Sequence, residues 1–226
     1  MSPRTAYRIS LAFGLIVLGL TVYSITQPAP PVCGNLQPRY VPIIAFELVR
    51  SVAGLHAIFG NAPSACRTLI AQQMDRINTV DSLLFIQVYG AFLVFFFLAQ
   101  RPISRPLANT AIVLVIIACI ADHIENFALF HLSADPDHAS WIALLVPATE
   151  TKWIGLGIAA FLAVPLLKDA LRYIAVIMCG AGLVATIASL PAPAVVGPYL
   201  SNAVALGWLL FFAIDIRQSI RGGAPT

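Results

Sequence analysis

The sequence predicts an all-α, polytopic membrane protein: a helical bundle of six transmembrane helices, with seven as the alternative count. Hydrophobic residues make up 59% of the 226-residue chain, charged residues only 10%, and the mean hydropathy is +0.88. A water-soluble domain of this size cannot bury so much apolar surface. The apolar runs have the length that a helix needs to cross a bilayer, and they lack the alternation of membrane-barrel strands. We expect one integral membrane domain over residues 1–226, with no role in nucleic-acid binding.

Six apolar segments are expected to cross the membrane. The first follows Arg4 and Arg8 and could also be a signal peptide, but its apolar run is longer than is usual for one, which favours a retained span. The predicted spans are residues 9–26, 82–100, 107–129, 140–167, 171–190 and 199–217.

The positive charges predict the topology. Basic residues collect on the cytoplasmic side of membrane proteins. If the basic residues at the span ends are all cytoplasmic, the six spans alternate without conflict and both termini are cytoplasmic. This pattern is typical of a plasma or inner membrane protein. Asp215 lies beside Arg217, so we expect it to be a solvated end charge. The basic residues concerned are Arg4, Arg8, Arg101, Arg105, Lys168, Arg172, Arg217 and Arg221.

This topology places residues 27–80 on the outer side. Within them, residues 42–60 predict one amphipathic helix, because a narrow polar stripe that includes Glu47 and Arg50 runs along an otherwise apolar surface. The helix could lie in the interface or re-enter the membrane. A seventh span is the alternative, but it would require a second crossing in the same region, and no second apolar run is evident.

Four cysteines divide into two pairs. Cys33 and Cys66 bracket the outer segment and could form a disulfide in an oxidising compartment, although two free thiols are the alternative. Cys119 and Cys179 lie within apolar spans, where packing is the expected role.

The third span ends in a cluster of polar residues. Asp122, Glu125 and Asn126 stand at positions i, i+3 and i+4, so they share one helix face. Ionisable groups at membrane depth are costly unless they face protein or water, which makes such a cluster a functional hypothesis. His123 lies off this face, and no paired histidine spacing points to zinc.

Other polar residues are expected to join the cluster from neighbouring segments. Asp81 and Tyr89 share a face of the second span, and Asp81 could also cap that helix. Glu150 follows Pro147 in the fourth span, while Lys152 points away from Glu150 and could extend outward to the interface. The predicted catalytic residues are Asp122, Glu125, Asn126, Glu47, Asp81 and Glu150, and the predicted substrate-binding residues are Tyr89, Trp153, Lys152, Arg50 and Asn202.

These residues predict a small membrane enzyme that uses carboxylates for acid/base chemistry on a lipid or isoprenoid, as an isomerase, cyclase or hydrolase. Crowded, partly desolvated carboxylates can divide the roles of acid and base between them. We expect no cofactor, although a D-x-x-E pair could hold a divalent metal. The alternatives are a proton- or cation-coupled transporter and a non-catalytic, partner-binding protein, in which Asp122 and Glu125 merely pair with Arg50 or Lys152.

Overall fold

The computed structural model describes residues 1–27 and 29–221, and within this part of the chain every regular element is a helix. Six helical stretches are long and apolar enough to cross a membrane, which confirms the predicted bundle. No seventh stretch of that kind occurs among the described residues. The six stretches are Pro3–Thr26, Ala65–Gln100, Arg105–Ala134, Ala139–Leu166, Ala170–Ser189 and Pro193–Ile220.

The described residues form nine α-helices. A π-helical segment, Asp81–Phe85, joins the fourth helix to the fifth, and 3-10 turns at Ala139–Trp141 and Val164–Leu166 flank the seventh. The helices are α1 (Pro3–Thr26), α2 (Pro42–Glu47), α3 (Val52–Phe59), α4 (Ala65–Val80), α5 (Ile86–Gln100), α6 (Arg105–Ala134), α7 (Ile142–Leu162), α8 (Asp169–Ser189) and α9 (Pro193–Arg221).

The spanning helices pack chiefly against their neighbours in the chain, since short connections make consecutive helices antiparallel. α6 packs on α7 and α8 on α9, while α1 closes the bundle against α5 and α9. One apolar core, around Phe96 and Phe211, lies toward the end of the bundle that carries the N-terminus. A second core, around Phe46 and Leu129, lies beneath the short helices α2 and α3 at the other end. We call this other end the disulfide end.

The prediction of one helix over residues 42–60 is wrong, because the chain breaks into α2 and α3. α2 stops at Glu47, and Ser51 begins α3 as its N-cap, with Ser51 Oγ accepting a hydrogen bond of 3.2 Å from the Gly54 amide. A capping serine satisfies an amide that a continuous helix would have satisfied internally. Neither piece is long enough to cross a bilayer.

Asp81 does not cap a helix, because α4 runs into α5 without a break. The π-helical segment that begins at Asp81 inserts one wide turn between them. Such a turn rotates the side chains that follow it relative to those that precede it, and π-helical turns are frequent at functional sites. The apolar residues 82–100 therefore form the second part of a continuous helix that starts at Ala65.

One further expectation about the spans is corrected. Asp215 is not a solvated end charge, since its side chain is completely buried. The fourth helical stretch, Ala139–Leu166, continues through Pro147. The last helix, α9, begins at Pro193.

The disulfide end is held by a group of side chains that we call the disulfide lock: Cys33, Cys66, Arg67, Asp137 and His56. Cys33 and Cys66 are bonded, which decides between a disulfide and the alternative of two free thiols. Arg67 donates to Asp137 over 2.7 Å and to the Gly60 carbonyl over 2.6 Å. His56 Nε2 lies 2.7 Å from the Asp137 carboxylate, so His56 joins α3 to the segment that follows α6.

Two features of the lock follow from local chemistry. Hydrogen bonds from Arg67 and His56 lower the pKa of Asp137 below its ordinary value, because both stabilise the charged form. Gly60 has a φ of 81°, a conformation that favours glycine, and this turns its carbonyl toward Arg67 directly after α3.

Candidate functional site

A buried lysine lies at the centre of the acidic cluster. Lys152 Nζ on α7 is 2.5 Å from Glu125 Oε1, 2.9 Å from Glu47 Oε2 and 3.3 Å from Asp122 Oδ1. We call Lys152, Glu47, Asp122 and Glu125 the lysine centre. The expectation that Lys152 extends outward to the interface is wrong, because its side chain points into the bundle.

Local structure explains how three helices meet at this point. Asp122 and Glu125 share one face of α6, as their spacing predicts, and α7 packs along that face. Thr149 stands one turn before Lys152, and its hydroxyl donates to the carbonyl of Glu47 over 3.1 Å. The last carbonyls of a helix have no partner within it, so Thr149 caps α2 and places Glu47 beside the lysine.

A second ring of polar side chains orients the centre. Tyr89 on α5 donates its hydroxyl to Asp122 Oδ2 over 2.7 Å, and its ring contacts Trp208 of α9 in a tilted arrangement with centroids 5.2 Å apart. Asn126 donates to Asp81 Oδ2 over 2.6 Å, which ties α6 to the π-helical segment. Two predicted faces therefore meet here: the face that carries Asp81 and Tyr89, and the polar face of α6.

The centre is dry and carries more negative than positive groups. Lys152, Asp122 and Glu125 are each no more than 5% exposed, and Glu47 closes the side nearest α2. One ammonium faces three carboxylates at distances where each pair interacts strongly in a low dielectric. Lys152 Nζ also lies 4.9 Å from the ring centroid of Trp153.

Some buried polar atoms around the centre are left without hydrogen bonds. Within the described part of the chain, Glu125 Oε2, Trp153 Nε1 and Trp208 Nε1 have no hydrogen-bond partner. Buried polar atoms in native proteins usually have one. Glu125 Oε2 is therefore able to accept a hydrogen bond or a proton.

Three predicted site residues lie apart from the centre. Glu150 pairs with Arg50 over 2.8 Å, and both side chains are about one third exposed. This pair ties the residues between α2 and α3 to α7, which is a positioning role. Asn202 on α9 is exposed.

His123 and the neighbouring surface lie on the other side of α6. His123 is exposed and its Nε2 lies 2.8 Å from the side-chain amide of Gln87. It lines a shallow, apolar depression with Ile120, Ile124 and Phe127 of α6 and Leu144 of α7. This depression faces away from Asp122 and Glu125, so it does not open onto the lysine centre.

The pairing of Asp122 and Glu125 with Lys152 was expected only under the non-catalytic alternative. Sequence reasoning missed the cap from Thr149 and the ring contact of Trp208 with Tyr89. Charge balance was the available signal for Lys152, because several acids at membrane depth require a cation close by. No periodicity in the sequence points to Trp208, which lies far along the chain from Tyr89.

The arrangement also bears on metal binding. Among residues 1–27 and 29–221, no group of three or more histidine, cysteine, aspartate or glutamate side chains is placed to hold a metal ion. The carboxylates that could have served as ligands converge on the ammonium of Lys152 instead.

Comparison with known proteins shows no matching family model, no matching curated protein and no matching solved structure. The function must therefore be argued from the site.

Proposed function

We propose that the protein is a small integral membrane enzyme in which the lysine centre carries out acid/base chemistry on a lipid or isoprenoid. The observation that supports this most is the convergence of three carboxylates on one buried ammonium. When like charges crowd a dry site, one carboxyl can hold a proton while another stays ionised, which supplies an acid and a base together.

The geometry suggests separate roles for the carboxylates. Glu125 binds Lys152 through one oxygen and leaves the other unpaired, so it is the best placed to give or take a proton. Asp122 is held by both Tyr89 and Lys152, which suits an orienting base. Glu47 sits on the short helix α2, and movement of α2 would admit a substrate from the disulfide end.

The proposed orientation puts the disulfide end outside the cytoplasm. A structural disulfide favours an oxidising compartment. Arg4, Arg8, Arg101 and Arg105 lie at the opposite end, as expected of the cytoplasmic side. Both termini would then be cytoplasmic and the lysine centre would lie in the outer half of a plasma or inner membrane.

The test compares wild type with Glu125→Gln, and uses Glu150→Gln as the matched control on an acid outside the centre. Each protein, purified in detergent, is examined by native mass spectrometry for a bound lipid and then incubated with a membrane lipid extract. We expect wild type and Glu150→Gln to convert one lipid class, and Glu125→Gln to be slower by about 10²- to 10⁴-fold, the usual contribution of a general acid or base.

Two results would contradict the enzyme. Full turnover by a folded Glu125→Gln protein would remove Glu125 from the chemistry. If no lipid class is converted by wild type, and the amide variants change only thermal stability, the centre is a structural ion-pair network.

A second candidate is proton-coupled transport, and the buried Asp215 favours it. Ser10, which contacts Asp215, also contacts the carbonyl of Phe92, three residues after Tyr89 on α5. Three residues correspond to about 4.5 Å along a helix axis, so two buried acidic sites follow each other along α5. Proton uptake by proteoliposomes, reported by an enclosed pH-sensitive dye and lost in Asp122→Asn, would favour this function over the enzyme.

A further inference from the structure

A second buried acidic site lies beyond the lysine centre, toward the N-terminal end of the bundle. Asp215 of α9 is 0% exposed, and Ser10 of α1, which is equally buried, lies against it. Ser10 Oγ is 2.5 Å from Asp215 Oδ2 and 2.9 Å from the backbone carbonyl of Phe92 on α5. Three helices thus meet through one serine hydroxyl.

The contact between Ser10 and Asp215 depends on how many protons the two side chains share. A serine hydroxyl has one proton to donate, and both of its neighbours here are groups that accept. The Phe92 carbonyl can only accept, so if Ser10 donates to it, the short contact with Asp215 requires a proton on the carboxyl. The carboxyl then donates to Ser10 Oγ, and Ser10 donates to Phe92.

The surroundings of Asp215 support a neutral carboxyl. Within the described part of the chain, no lysine, arginine or histidine forms an ion pair with Asp215, and its Oδ1 has no hydrogen-bond partner. An isolated ionised carboxylate in an apolar interior is very costly. Residues 90–99 of α5 and 154–167 after the lysine centre contain no ionisable side chain.

Among the side chains that the structure describes on the elements around Asp215, no ionisable group supplies a counter-ion. Arg4, Arg8, Arg101 and Arg172 are exposed, whereas Tyr7 and Cys179 are buried. Arg217, on α9 itself, is half-buried and two residues away, and no ion pair joins it to Asp215.

We propose that Asp215 is a proton-binding site, in which Ser10 acts as a rotating hydrogen-bond partner. With the proton bound, Asp215 Oδ2–H donates to Ser10 Oγ and Ser10 donates to the Phe92 carbonyl. When the proton passes to a water molecule that enters from the N-terminal end of the bundle, the Ser10 hydroxyl turns from Phe92 and donates to the carboxylate. No other bond changes, so the site can load and release one proton without moving a helix.

A second serine–aspartate pair provides an internal control. Ser133 of α6 donates to Asp75 of α4 and also lies 3.0 Å from the Phe130 carbonyl. The local geometry is similar, but Asp75 is only partly buried at the disulfide end, where water can solvate a carboxylate. The two aspartates should therefore differ in protonation because they differ in burial, since both contact a serine.

Infrared spectroscopy of the full-length protein in lipid vesicles tests the proposal. The carbonyl stretch of a protonated carboxylic acid is separate from the bands of a carboxylate. We expect the spectrum of wild type minus Asp215→Asn, taken at neutral pH, to contain this band. We expect wild type minus Asp75→Asn to lack it, and Ser10→Ala to shift the band by removing a hydrogen-bond partner of Asp215.

The opposite pattern would overturn the assignment. If Asp215→Asn removes carboxylate bands instead, Asp215 is ionised and Ser10 donates to it permanently. If Asp215→Asn does not fold, the Ser10→Ala variant tests the proposal instead. Ser10→Ala shifts the band of a protonated acid if Asp215 is protonated, and it shifts only carboxylate bands if Asp215 is ionised. The result does not depend on which of the two functions above is correct, since it reports protonation and not turnover or transport.

Discussion

The lysine centre and the disulfide lock use the same interaction in opposite settings. In the lock, one carboxylate, Asp137, receives hydrogen bonds from Arg67 and His56 while about half of its side chain remains exposed. In the centre, one ammonium contacts three carboxylates, and Lys152 and Glu125 are almost completely buried. In the lock, the carboxylate and its basic partners lie beside water. In the centre, three carboxylates and a single ammonium lie away from water.

Because of this difference, the two groups are expected to affect the free energy of unfolding differently. An exposed ion pair contributes little because water screens it. A buried ion-pair network can cost more in desolvation than it regains in attraction, so its presence is weak evidence for a stabilising role. The stability of the disulfide end should therefore come from its covalent bond and its apolar core, whereas the lysine centre calls for a functional explanation.

The largest expected effect comes from removing the cation of the centre. Lys152→Met should destabilise the protein by about 3 to 5 kcal/mol, because it leaves buried carboxylates without their partner. Unfolding by sodium dodecyl sulfate in mixed micelles, followed by circular dichroism, would measure the change.

Adding Glu125→Gln to Lys152→Met should restore part of the lost stability, because fewer unpaired charges remain buried. A double-mutant cycle measures this coupling. Simple additivity of the two substitutions would show that Lys152 and Glu125 do not act as a pair.

The disulfide should have the next largest effect. Cys33 and Cys66 are separated by 33 positions, and a loop of that length corresponds to about 3 to 4 kcal/mol in the chain-entropy model. We expect Cys33→Ala/Cys66→Ala to lose roughly this amount of stability in the same assay. A reducing agent should lower the stability of wild type to that of the double variant and leave the variant unchanged; equal stability with and without reductant in wild type would argue against the bond.

The smallest effect should come from the charge of Asp137. Because its folded pKa is lowered, the interaction stabilises the protein fully above the ordinary aspartate pKa of about 3.9 and is lost as the pH falls through the lower, folded value. The stability difference between wild type and Asp137→Asn should therefore be small near neutrality and shrink further on acidification. A difference that grows at low pH would contradict the assigned direction, and thermal unfolding of both proteins over an acid series would reveal it.

Some of the site could be predicted from the sequence because its determinants are local. The i, i+3 spacing places Asp122 and Glu125 on one face of α6 whatever packs against it, and the pairing of Asp81 and Tyr89 on one side of the second span is of the same kind. Helix spacing alone could not exclude Glu150 from the site. Its partner Arg50 lies in a region whose fold depends on where α2 ends.

By itself, the sequence determined that six segments of the described residues are long and apolar enough to cross a membrane, because the length and hydropathy of each apolar run do not depend on the rest of the protein. It also determined which face of α6 carries the acids. Only the tertiary structure decided that Lys152 points inward and that Asp215 is buried against Ser10. A helical wheel shows which residues share a face, but which face meets protein and which meets lipid depends on the packing of all neighbouring helices, and that packing is a property of the whole bundle.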